Sequence, residues 1–128
     1  MPVDDFFIFK RETMSLDSML ALDAIEALEN YIEKIRPEEA LRDKVDVAYK
    51  IENQSIIIFE IRPSFIQPKQ KIESLVAKAT FVKAKDYYKV FWLRSDLKWH
   101  NYKPVPTVKT IRDFIQVVEE DTYSCFWG

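Results

Sequence analysis

Between Ser15 and Arg36 apolar residues recur at helical spacing, at Leu16, Met19, Leu20, Ile25, Leu28, Ile32 and Ile35, with Asp17, Asp23, Glu26, Glu29 and Glu33 interleaved. At 3.6 residues per turn this spacing predicts a helix with one apolar stripe and one acidic face. Thr13 or Ser15 can cap its first turn, Lys34 and Arg36 suit its negative end, and Pro37 stops it. The period then changes to two. Val45, Val47, Tyr49 and Ile51 alternate with Asp46, Ala48, Lys50 and Glu52, which predicts a half-buried strand. Glu52-Asn53-Gln54-Ser55 reads as a turn, and the β-branched and aromatic run Ile56 to Arg62, closed by Pro63, as the second arm of a hairpin. Pro63 to Gln70 is a loop holding Phe65 and Pro68. Strands over 72–83 and 87–94 follow around Ala84-Lys85-Asp86, and a fifth over 98–102 after Ser95-Asp96-Leu97. Such short turns imply antiparallel neighbours. Pro104-Val105-Pro106 reads as a break in the sheet and Thr107 as the cap of a second helix with Val108, Ile111, Phe114, Ile115 and Val118 on its buried face.

The predicted fold is therefore α+β: an antiparallel sheet of about five strands in a meander, flanked by an N-terminal and a C-terminal helix that cover one face. The Phe6-Phe7-Ile8-Phe9 cluster fits either a short strand or an apolar arm laid on the body. The 128 residues show no repeat and no internal boundary, so one domain over 1–128 is expected, and 48% hydrophobic residues suffice for its core.

Glycine narrows the chemistry, because the only one is Gly128. Phosphate-binding loops, dinucleotide-binding turns, nucleophile elbows and EF-hand loops each need glycine where the backbone turns left-handed or meets a ligand. One His and one Cys cannot build a structural zinc site within one chain, so any metal would be held by carboxylates. No cofactor is expected. The lone Cys125, the lack of a charged-then-apolar leader and apolar runs of only four residues predict a cytoplasmic protein away from the membrane.

The net charge of −2 averages two unlike halves. Residues 1–60 carry 7 basic and 14 acidic side chains; residues 62–112 carry 12 basic and 3 acidic ones. That second stretch interleaves Arg62, Lys78, Lys83, Lys89, Arg94 and Lys98 with Trp99 and Tyr102, and these eight form the candidate binding surface. Cations that track phosphates, with rings on which bases stack, are the means by which single-stranded nucleic acid is held. The plainer reading makes the rings core and the lysines a solvated face. In the strand over 87–94, Tyr88, Val90, Trp92 and Arg94 share one side and Tyr87, Lys89, Phe91 and Leu93 the other, so helices on one side leave an aromatic row to be covered or bound.

Two catalytic candidates are weaker. Asp46 on one strand and Glu60-x-Arg62 on the next have the residue types of a divalent-metal nuclease or phosphodiesterase, although a salt bridge accounts equally for Glu60 and Arg62. His100, between Trp99 and Tyr102, has the chemistry of a general base but no nucleophile beside it. Cys125 is expected to be buried with Phe126 and Trp127, and that tail to dock on the core sooner than serve as a peptide handle.

Phe59-Glu60-Ile61-Arg62-Pro63, Ala77-Lys78, Phe81-Val82-Lys83, Lys89-Val90-Phe91-Trp92 with Arg94 and Asp96, Lys98-Trp99-His100-Asn101-Tyr102, and Asp121 with Phe126-Trp127-Gly128 run in order across about half the chain. In these the chain resembles a family of uncharacterised bacterial proteins, domain of unknown function 3024. The resemblance implies no activity, cofactor or partner. The leading expectation is a non-enzymatic binding or interaction module whose basic, aromatic sheet surface meets an acidic protein or, in a homodimer, a second copy of the chain; the first alternative is a nucleic-acid-binding protein on that same surface, the second a divalent-metal phosphodiesterase or nuclease.

Overall fold

The computed structural model describes residues 18–128, with side chains from Leu22 onward; the Phe6 to Phe9 cluster, Thr13, Ser15 and Leu16 lie outside the described residues. Helix α1 spans Ser18–Ile35. Ala24, Ala27, Leu28, Tyr31 and Ile32 are buried on one side, while Asp23, Glu26, Glu29 and Glu33 are exposed on the other. The Arg36 amide still reaches the Ile32 carbonyl at 2.9 Å. Pro37 has no amide hydrogen to extend the ladder.

After a single 3-10 turn at Glu39–Leu41 the chain enters an antiparallel meander of β1 (Asp46–Glu52), β2 (Ser55–Pro63), β3 (Lys71–Val82), β4 (Tyr87–Leu93) and β5 (Trp99–Asn101). A two-residue strand, β6 (Thr107–Val108), also pairs with β4, and helix α2 (Ile111–Glu120) follows. The α+β class and the helix-flanked meander are those the spacing predicts.

The connection to α2 departs from expectation. Thr107 and Val108 do not open a helix but lie opposite Lys89 and Tyr88 on β4. The helix starts behind Thr110, whose hydroxyl oxygen accepts from the Asp113 amide at 3.1 Å. Nor do the prolines break the sheet. Tyr102 donates its amide to the Val90 carbonyl, and the Val90 amide donates to the Pro106 carbonyl. Residues 103–105 bulge out between two pieces of one edge, so neither proline is asked for a donor.

Val47, Tyr49, Ile51, Ile56, Ile58, Ala77, Ala79, Phe81, Tyr88, Val90, Tyr102 and Val108 form a continuous core with Leu28 and Ile32 of α1 and Ile111, Phe114 and Val118 of α2. The tail joins that core. Asp121 ends α2 in the left-handed region, at φ 39°, and its carboxylate accepts from the amides of Phe126 (3.0 Å) and Trp127 (2.9 Å). The Phe126 ring lies 4.8 Å from that of Tyr102, and Trp127 hydrogen-bonds Tyr31, whose phenol burial pushes up to about 12. With no glycine available, the hairpin turns place Asn53, Asp86 and Leu97 at φ 53°, 55° and 61°. Asn and Asp tolerate this region; for Leu97, at the β4–β5 turn, it costs about 1 kcal/mol.

Candidate functional site

No described helix lies on the second face of the sheet. The register carries one row of side chains straight across it: Lys50 is opposite Ile57, Ile57 opposite Lys78, Lys78 opposite Phe91, and Phe91 opposite Asn101. The row has two different ends. Toward β1, Ile57 and Phe59 are buried, and the Lys50 ammonium sits 5.4 Å from the centre of the Phe59 ring while bonding Glu73 at 2.7 Å. Toward β5, the Lys78 ammonium lies 4.8 Å from the centre of the Phe91 ring and 5.1 Å from that of Trp99. It makes no ion pair among the described residues. Burial against these rings lowers the Lys78 pKa, with Glu52 pulling weakly the other way.

On the same face stands Lys89 of β4, while Lys83 and Lys85 lie in the β3–β4 turn and Lys98 in the β4–β5 turn, at the two opposite ends of β4; all four are exposed and none is in an ion pair among the described residues. Of the eight side chains singled out from the sequence, Lys78, Lys89 and Trp99 therefore share the open face, and Lys83 and Lys98 lie in the turns at the two ends of β4. The other three lie elsewhere. Arg62 is at the far end of β2, paired with Glu60 at 3.1 Å. Arg94, one step out of phase with Leu93, stands over Trp92 on the helix side, 5.5 Å from its ring. Tyr102 is only 2% exposed and belongs to the core, because the docked tail covers it, so it is no surface residue. Phe91 belongs to the site and was not among the eight. Its phase relative to Lys89, with the cross-strand partnership to Lys78, is the signal that finds it.

The catalytic candidates are not brought together. Glu60 is opposite Val47 and Asp46 opposite Ile61, so the two carboxylates leave the sheet on opposite faces. Asp46 instead takes two hydrogen bonds from the Arg36 guanidinium, at 2.9 and 2.7 Å. Burial alone would raise its pKa, but Arg36 and the Val47 amide outweigh it and hold the carboxyl below its usual range. Among the described residues no three His, Cys, Asp or Glu side chains stand close enough to hold a metal ion. The His100 Nε2 is 2.8 Å from Asp96, whose pKa is lowered by that contact and by the Lys98 amide. With Trp92, Arg94, Lys103 and Cys125, His100 lines a cleft of about 400 Å³ at the β5 edge.

No described helix is long and apolar enough to cross a membrane. The chain belongs to the family described as a domain of unknown function (DUF3024), whose profile matches residues 17–128. No curated protein and no solved structure matches it.

Proposed function

We propose that this chain is a non-enzymatic module that binds single-stranded nucleic acid on the open face of β3, β4 and β5. The observation that carries the reading is the Lys78 ammonium resting on both Phe91 and Trp99, with Lys89 on the same face and Lys83, Lys85 and Lys98 in the turns at the two ends of β4, all without carboxylate partners among the described residues. Magnitudes favour an exchange. A cation over a ring is worth about 0.5–1 kcal/mol at such a site, whereas a base stacked on a ring is worth about 1–3 kcal/mol. A base can therefore displace the ammonium from the ring, and the flexible lysine stem lets it follow to the adjoining phosphate. Duplex DNA keeps its bases stacked inside and offers these rings nothing; an acidic protein would engage the lysines but leave the rings without planar partners.

The test is an anisotropy titration of labelled single-stranded DNA, single-stranded RNA and duplex DNA at low and near-physiological salt. The expected result is micromolar binding of single strands in preference to duplex. For about 3–4 phosphates engaged, log K should fall with log salt at a slope of about −2 to −3. Lys89→Glu should weaken binding by about tenfold or more, and Trp99→Ala by about 1–3 kcal/mol. Flat titrations at low salt, or equal affinity for duplex and single strands, overturn the reading.

A further inference from the structure

The cleft at the β5 edge is separate from the ring platform, since Trp92, His100 and Cys125 lie on the helix side of the sheet and Phe91 and Trp99 on the open side. It is roomy enough for a small ligand group, its 400 Å³ lying within the range of small-molecule sites of about 300–1,000 Å³. Among the described residues its lining holds the cations Arg94 and Lys103 and no carboxylate. Arg94 and Lys103 carry no carboxylate partner among the described residues, and Arg94 lies over the Trp92 ring. The carboxylate nearest in sequence, Asp96, is already engaged by His100, which also lines the cleft. Cys125 adds no negative charge, because burial raises its thiol pKa and Asp121 raises it further, against a smaller opposite pull from Arg94.

We infer that this cleft binds a phosphomonoester, the Arg94 guanidinium and Lys103 ammonium supplying charge-assisted hydrogen bonds to its oxygens. Asn101 lines the cleft and also stands opposite Phe91 in the open-face row that includes Trp99, so the two sites meet at β5. The occupant is the phosphorylated end of the strand whose body lies on Phe91 and Trp99. In its choice of occupant the inference rests on the single-strand reading; the anion cleft itself does not.

Cys125, the chain's only cysteine, makes occupancy measurable. The full chain is alkylated with iodoacetamide in the presence of adenosine 5′-monophosphate or of adenosine, and the rate of Cys125 modification is followed by mass spectrometry. The monophosphate should slow modification several-fold and the nucleoside should not. In parallel, anisotropy compares one oligonucleotide with a phosphate or a hydroxyl at its 5′ or 3′ end. One phosphorylated end should bind about tenfold tighter. Arg94→Gln and Lys103→Gln should erase that difference, whereas Lys89→Gln should weaken all ends alike. Equal alkylation rates with the two small molecules would overturn the cleft, whatever the oligonucleotides do. Protection by the monophosphate with no preference between ends would overturn the strand end as occupant. Failure of every oligonucleotide to bind would refute the platform and the strand end together, leaving the anion cleft to the alkylation result.

Discussion

On the helix side of β4, Tyr88 and Val90 are sealed by α2 and by Phe81 of β3, whose ring lies 5.1 Å from that of Tyr88. On the other side, one residue out of step, the cross-strand partners of Lys89 and Phe91 among the described residues are Thr80, Lys78, Thr107 and Asn101. Each side carries two aromatic rings, one of them a tyrosine: Tyr88 is buried on the helix side, whereas Tyr87 on the other side is only partly so. Hydropathy of the strand does not sort the two sides; the presence of a covering helix does. On the proposed reading the difference separates two tasks within one strand, the side under α2 packing the core and the side that no described helix covers offering cations and rings to a single strand.

The comparison is broken most directly by removing one aromatic side chain from each side. Phe114→Ala, at a fully buried site on α2, should cost about 3–5 kcal/mol in urea unfolding. Phe91→Ala, at a partly exposed site, should cost about 1 kcal/mol while weakening single-strand binding. Equal losses would mean that both sides are core. Next in size is the tail that covers Tyr102. Asp121→Ala removes a carboxylate that holds two amides and should cost about 2–3 kcal/mol, with a red shift in tryptophan emission as Trp127 is released.

Where period and turn chemistry agree, the chain could be read directly. The stripe of α1, the alternation of β1 and the short turns between β2 and β5 lead to the helix-flanked meander. The second helix was placed too early because Pro104 and Pro106 look like a break; the register shows that a bulge needs no donor from either. The placement of the candidate surface residues was legible only in part. Lys78, Lys89 and Trp99 come together because strand parity puts them there. Tyr102 belonged by parity to the other face, and a pair of carboxylates chosen by residue type, Asp46 and Glu60, proved to point apart. Which of two aromatic rows a helix covers depends on where α2 docks, and no local pattern in β4 encodes that.

A smaller effect marks the edge where charges are satisfied within the chain. The Arg36–Asp46 pair is bidentate and largely shielded, with side chains 18% and 17% exposed, and Arg36→Met should cost about 1–2 kcal/mol. Asp46 has a lower pKa folded than unfolded, so the unfolded chain takes up the proton first. The contribution is complete above the ordinary aspartate value of about 4 and is lost as pH falls through the folded value. Urea midpoints measured from pH 7 down to 3 should therefore decline, and Asp46→Asn should flatten that decline.

Lys78 is the position where the two tasks oppose each other most finely, and its replacement should have the smallest effect on stability. Its ammonium gains attraction from two rings but loses water, and that loss lowers its pKa against a weaker opposite pull from Glu52. The folded chain therefore gives up this proton before the unfolded one does. Stability should rise as pH climbs from the folded value toward the ordinary lysine value of about 10.4, where the cost of burying the charge has gone. Lys78→Met keeps the stem and discards the charge. In urea unfolding at pH 7 it should be unchanged within about 0.5 kcal/mol or more stable, and the alkaline rise should disappear. Single-strand affinity should nonetheless fall by about fivefold or more, since a cation at the centre of the platform is gone. A loss of more than about 1 kcal/mol would instead make Lys78 a structural residue, and the open face of β4 a second, thinner core.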